Sequence, residues 1–245
     1  MRLTSACLIK VALIGLTAAG NAAVGNVASP KVSHASPVAS TLSPAALSVV
    51  NRWRARVVAG TRRHAISKGS SKAKELSRRV AIEQRARMAV PDRVSTKVSD
   101  SDWEAANKAI WDQLTKIDAE NTKYLKSILP ADGWFRIKRD GMQVASDAWL
   151  IVQHSSDRLF QHRVLDLMTP LLSTGDASGS KYALLYDRVA MFEGRRQRYG
   201  SQIVCSKGVF EPSPVENADQ LDQLRASVGL EPMADYLRHW DGKSC

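Results

Sequence analysis

Side chains that could perform acid–base chemistry or bind a ligand fall in three short groups in the C-terminal half of the chain. The groups are Gln153, His154 and Gln161; Asp187 and Arg188; and Gln197, Arg198, Tyr199 and Gln202. They lie beside or within apolar stretches, where a polar side chain that is buried without a partner costs several kcal/mol. These side chains must therefore face solvent or meet one another, and meeting one another would form a polar pocket.

His154 is the residue best suited to proton transfer, because an imidazole titrates near neutral pH. In one hypothesis the protein is a hydrolase or transferase in which His154 is the general base and Asp187 orients it. Arg188, Arg198 and Gln202 would then hold a polar or anionic substrate. This hypothesis requires His154, Asp187 and Gln202 to converge around an open cleft.

The same groups also have structural interpretations. A histidine at the end of a helix, as predicted for His154, caps the helix and interacts favourably with its dipole. Asp187 and Arg188 are consecutive on a predicted helix, so their side chains diverge by about 100° and do not form a self-contained pair. Asp187 is then expected to pair with an arginine such as Arg163. Residues 199–202 form either a ligand-binding loop or a hairpin whose glutamines bond loop carbonyls.

Several of these residues stand in an order that resembles a known family signature. The matching motifs are Gly133-Trp134, Gln153-His154, Phe160-Gln161, Asp187-Arg188, Glu193-Gly194 and Gln197-Arg198-Tyr199-Gly200-Ser201-Gln202. They resemble the G-W-P, Q-H, F-Q, D-R, E-G and Q-x-Y-G-T-Q motifs of an uncharacterised bacterial domain, a DUF6624-like domain of unknown function, over residues 116–237. Phe135 replaces the usual proline and Ser201 the usual threonine, and neither change removes a polar group. The resemblance implies a domain boundary but no reaction.

The sequence contains no motif for a nucleotide, zinc, calcium or a serine nucleophile: a Gly-rich phosphate loop, H-E-x-x-H and G-x-S-x-G are all missing. It therefore predicts no metal site and does not identify a cofactor. The sequence favours a module that binds an unidentified small molecule or protein through a polar pocket. The enzyme hypothesis stays open as the alternative.

Helical periodicity dominates the chain from residue 99 to residue 245. A long helix is predicted from a cap at Ser101 or Asp102 to Ile128, and Ser156 or Asp157 is expected to cap a later one. The other predicted helices cover about 142–153, 181–192, 217–228 and 232–240, and residues 198–210 are predicted to form a small hairpin. The expected fold class is mainly α, a compact domain of four to six helices with one β-hairpin.

The N-terminal segment is predicted to direct export. Arg2 and Lys10 precede an apolar run over residues 11–19, and small residues follow, which is the pattern of a signal peptide. Cleavage is expected after Ala22, which would place the mature protein in the periplasm or outside the cell. Residues 23–50, rich in Ala, Ser and Pro, are predicted to be disordered.

The basic charge of the chain belongs to one segment. The chain carries a net charge of +11, yet residues 51–93 alone carry +10 and residues 100–245 carry −3. Residues 51–98 are therefore predicted to be a basic, partly helical tether, which either contacts anionic lipid or another polyanion of the cell envelope or is simply solvated. Nucleic acid is not an expected partner, because no aromatic residues interleave the basic ones and the protein is predicted to be exported.

Two cysteines remain after the predicted signal cleavage. Cys205 and Cys245 form an even pair in an oxidising compartment. The sequence therefore predicts a disulfide bond that ties the end of the chain to the hairpin.

Overall fold

The computed structural model describes residues 42–61 and 71–243. The described helices are α1 (Pro44–Thr61), α2 (Lys72–Met88), α3 (Arg93–Thr96), α4 (Asp100–Ser127), α5 (Ile137–Asp140), α6 (Met142–His154), α7 (Arg158–Met168), α8 (Gly179–Phe192), α9 (Leu221–Ser227) and α10 (Met233–Arg238). Strands β1 (Ile203–Ser206) and β2 (Val209–Pro212) form an antiparallel hairpin. The predicted class, mainly helical with one small hairpin, is confirmed. Within these two ranges no helix is both long and apolar enough to cross a membrane.

The signal-peptide prediction lies outside the described residues, but the segment after it differs from the predicted disordered stretch. Residues 44–50 are the first turns of α1 rather than disordered chain. Ala46, Val49, Val50 and Trp53 recur at helical spacing and are buried. Trp53 also donates its indole N–H to the carbonyl oxygen of Ala86, at 2.8 Å. The small apolar residues of this stretch therefore suffice to hold a helix, because a partner helix covers them.

That partner surface is formed mainly by α4 and α2. The buried side chains of α1 form one core with Ala86, Ala106, Ile110 and Leu114. Ser99 caps α4, since its hydroxyl accepts the N–H of Asp102 at 3.1 Å, so the cap lies two or three residues before the predicted one.

The described parts of the basic segment, residues 51–61 and 71–98, also belong to the folded body and not to a tether. Leu76 and Val80 of α2 are buried in a second core with Leu125, Trp149 and Val152. The α2 helix packs against both α6 and α4. The folded region therefore begins well before the boundary predicted near residue 99, because α1 and α2 bury one apolar face each. Binding of this segment to an anionic lipid stays a prediction.

The C-terminal part places α6, α7 and α8 around the second core. Asp157 caps α7 as predicted, since its carboxylate accepts the N–H of Phe160 at 2.9 Å. The hairpin pairs Ile203 with Pro212 and Cys205 with Phe210. The predicted bond between Cys205 and Cys245 involves a cysteine outside the described residues and stays a prediction.

Candidate functional site

Asp187 organises the loop that precedes the hairpin. Its side chain is completely buried on α8. One carboxylate oxygen accepts the backbone N–H of Arg198 at 2.8 Å and that of Tyr199 at 3.0 Å, and the other accepts the N–H of Ser201 at 2.8 Å. Burial raises the pKa of this carboxyl, and the three N–H donors act against that rise. The expected salt bridge to Arg163 is therefore wrong, and Asp187 acts as an anchor for the backbone.

The two glutamines of the same loop bond backbone groups. The side-chain amide of Gln197 donates to the carbonyl oxygens of Gln202 and Ser213, at 3.0 and 2.6 Å, and its oxygen accepts the N–H of Gln202 at 2.8 Å. The side chain of Gln202 donates to the Ser201 hydroxyl at 3.1 Å. Both residues are buried. Of the two interpretations of residues 199–202, the contacts support the structural one.

The neighbours of these glutamines are held in the same way. Arg198 pairs with Glu216 at 2.9 Å. The carbonyl oxygen of Tyr199 accepts a bond from the buried Arg225 at 2.7 Å. Burial raises the pKa of the Tyr199 phenol. Each of these contacts is local to the loop and its supports, so the loop is a rigid unit built around Asp187.

His154 lies elsewhere, against a carboxylate that the sequence analysis did not select. Its Nδ1 atom is 2.9 Å from Oε1 of Glu83 on α2, and both side chains are at most 10% exposed. The Nδ1 atom is buried and not aligned as a hydrogen-bond donor, so the contact is a close electrostatic one. Burial acts to raise the pKa of Glu83, but His154 and Arg87 outweigh it and lower that pKa below its usual value.

Arg87 connects this pair to a second buried acid. Its guanidinium contacts the carboxylate of Glu83 one turn earlier on α2. It also contacts Asp118 of α4 at 2.6 Å. Burial raises the pKa of Asp118; Arg87 opposes that rise and the charge of Glu83 adds to it. Two carboxylates therefore share one guanidinium in a largely buried position.

Arg188 completes this group from α8. It lies near enough to Arg87 for the two like charges to interact, and its Nε atom is buried. We name Glu83, Arg87, Asp118, His154 and Arg188 the Glu83 cluster. It joins α2, α4, the end of α6 and α8, because these helices surround the second core.

Several polar atoms in and beside the Glu83 cluster are buried without a hydrogen-bond partner. Within the described part of the chain they include Oδ1 of Asp118, Nδ2 of Asn121, Oε1 of Gln153, Nδ1 of His154, Oε1 of Gln161 and Nε of Arg188. Gln161 does use its amide nitrogen, which donates to the carbonyl oxygens of Val152 and Ser155 at 2.9 and 3.0 Å and so closes the end of α6. Buried polar atoms are normally paired, so this concentration marks a place for a ligand or for ordered water.

The predicted site residues thus divide between two places. His154 contacts Glu83, and Arg188 lies within electrostatic reach of Arg87, so both belong to the Glu83 cluster. Gln153 precedes His154 on α6, and Gln161 bonds carbonyl oxygens at the end of that helix. The other predicted site residues form the loop: Asp187, Gln197, Arg198, Tyr199 and Gln202. His154, Asp187 and Gln202 do not converge, because His154 contacts Glu83 and Asp187 bonds backbone amides. Glu83 takes the position proposed for Asp187.

Glu83, Arg87 and Asp118 were missed, although two sequence signals point to them. Asp118 and Asn121 stand on the apolar stripe of α4, between Leu114 and Leu125, where polar side chains are unexpected. Glu83 is one of few acids in a strongly basic segment. Both signals become informative only when α2 is known to be part of the fold.

The fold and the Glu83 cluster define a helical domain with a buried group of acids and bases at a junction of four helices. The chain belongs to the family of unknown function DUF6624, whose model matches residues 81–243. This range confirms the resemblance found in the sequence and extends it toward the N-terminus, so that it contains the whole Glu83 cluster. No curated protein and no solved structure matches the chain.

Proposed function

We propose that the protein binds a small polar ligand at the Glu83 cluster, with His154 as the residue that contacts it. The observation that carries this proposal is the 2.9 Å approach of His154 Nδ1 to Glu83. The negative charge of the Glu83 carboxylate, close to Nδ1 although not in line for a hydrogen bond, favours a proton on that nitrogen and leaves Nε2 as the acceptor. The unpartnered atoms nearby supply further donors and acceptors for a ligand.

A screen of ligands by thermal shift tests this proposal. Sugars, peptidoglycan fragments, nucleotides and metal ions are each added to the wild type, His154→Ala and His162→Ala. His162 is the matched control because it is a half-exposed histidine paired with Asp166 on α7. We expect at least one compound to raise the Tm of the wild type and of His162→Ala but not of His154→Ala. Shifts that survive in His154→Ala would contradict the proposal.

A hydrolase or transferase activity is the second candidate, and the Glu83–His154 pair favours it. A carboxylate whose charge favours a proton on one ring nitrogen leaves the other ring nitrogen to act as a general base. Asp187 has no part in this version, since its carboxylate is bound by the loop. Compounds that pass the screen are therefore incubated with the protein, and a product formed by the wild type but not by His154→Ala would establish the activity. A compound that binds but is never converted would support the binding function alone.

We also propose that the chain is exported, as its first 22 residues indicate. The N-terminal sequence of the protein recovered from a fractionated bacterial host checks this. The expected result is a mature chain in the periplasm or medium that begins just after residue 22. A chain that keeps Met1 and stays in the cytoplasmic fraction would contradict it.

A further inference from the structure

Arg188 is a guanidinium without a counter-ion in the described part of the chain. Its Nε atom is buried and makes no hydrogen bond. None of the ion pairs between described residues includes Arg188. Its neighbour Asp187 is turned away on the helix and is fully used by three backbone amides.

The charges around Arg188 do not compensate it. The carboxylates of Glu83 and Asp118 in the same cluster are both bound to Arg87, and Glu83 also contacts His154. Burial and the like charge of Arg87 lower the pKa of Arg188 to about 10. The guanidinium therefore stays protonated at neutral pH. A guanidinium whose Nε is buried without an acceptor is unfavourable unless an anion joins it.

We propose that Arg188 binds an oxyanion group, a carboxylate or a phosphate, of the ligand held at the Glu83 cluster. This inference rests on the proposed binding function and specifies the ligand class. A guanidinium presents its donors in a planar fork that matches two oxygens of either group. The bound oxyanion would supply the missing negative charge and the missing acceptor for Nε. His154 would contact a second part of the same ligand.

Inorganic phosphate and acetate are the probes. Each is titrated against the wild type, Arg188→Gln and Arg163→Gln by thermal shift and by calorimetry, with sodium chloride at the same ionic strength as the reference. Arg163 is the matched control, an exposed arginine of α7. We expect one probe or both to stabilise the wild type and Arg163→Gln beyond chloride. The Kd should rise about tenfold or more in Arg188→Gln, because this variant loses a charge-assisted hydrogen bond to the oxyanion.

The stability of the variant without ligand gives a second readout. A structural arginine would lower the Tm when it is replaced, whereas an unpaired buried cation should leave the Tm unchanged or raise it in Arg188→Gln. A clear loss of Tm in the absence of ligand would overturn the inference. Equal binding of phosphate and acetate to Arg188→Gln and the wild type, or no binding beyond chloride, would also overturn it.

The two proposals fail in different ways. Anion binding that is lost in Arg188→Gln but unchanged in His154→Ala would support the oxyanion site and count against His154 as a ligand contact. An uncharged ligand that depends on His154, together with no response to either anion, would support the binding function and overturn the role of Arg188.

Discussion

Replacing Asp187 with alanine is expected to lower the free energy of unfolding by about 3–5 kcal/mol. The substitution leaves the N–H groups of Arg198, Tyr199 and Ser201 without an acceptor in a buried loop. It also leaves space where a completely buried carboxylate stood. Urea denaturation followed by circular dichroism measures the loss, with the slope of the transition used to check that the unfolding stays cooperative.

Two further variants distinguish the anchoring role of Asp187 from a general effect of losing a charge. Asp166→Ala removes an exposed carboxylate from α7 and should change stability by less than about 0.5 kcal/mol. Asp187→Asn keeps an oxygen that can accept the bonds of Arg198 and Tyr199 but turns an N–H₂ toward Ser201, so about half of the loss is expected. An alanine variant as stable as the wild type would show that the loop does not depend on this residue.

The helical class and most helix positions follow from the sequence, because the apolar spacing of α4, α6, α7 and α8 is regular. Helix geometry also predicted correctly that the side chains of Asp187 and Arg188 diverge. In the structure Asp187 bonds the loop, whereas Arg188 belongs to the Glu83 cluster. What the spacing does not reveal is the partner of each side chain. Asp187 bonds amides 11 to 14 residues away, and such bonds depend on how the loop folds back.

The N-terminal helices were harder to predict for two physical reasons. The buried face of α1 consists mostly of alanine and valine, which give a weak signal before the helix has a partner. In α2 the high charge concealed a narrow apolar stripe, and a Glu–Arg pair at i,i+4, such as Glu83 with Arg87, is typical of an exposed helix surface. Only the packing of α2 against α6 turns that pair inward and places Glu83 beside His154.

Replacing Arg87 with methionine is expected to lower the free energy of unfolding by about 3–5 kcal/mol at neutral pH. Methionine keeps much of the side-chain volume, so the main change is the loss of the positive charge between Glu83 and Asp118. The two buried carboxylates then repel each other, and of the remaining bases of the cluster only His154 contacts one of them. Because their pKa values should rise in the folded variant, the loss should shrink as the pH falls toward about 4–5, where protonation removes the repulsion.

The matched control for this variant is Arg85→Met, which removes an exposed arginine from the same helix and should cost less than about 0.5 kcal/mol. The double variant Arg87→Met with Asp118→Asn removes the repulsion together with the charge that balanced it. It should therefore be more stable than Arg87→Met alone, and the difference from additivity measures the coupling between the two residues. Losses that add without coupling, or an Arg87→Met variant whose deficit does not change with pH, would mean that the cluster is not held by shared charge. In that case steric packing, and not the ionic network, would explain the position of His154.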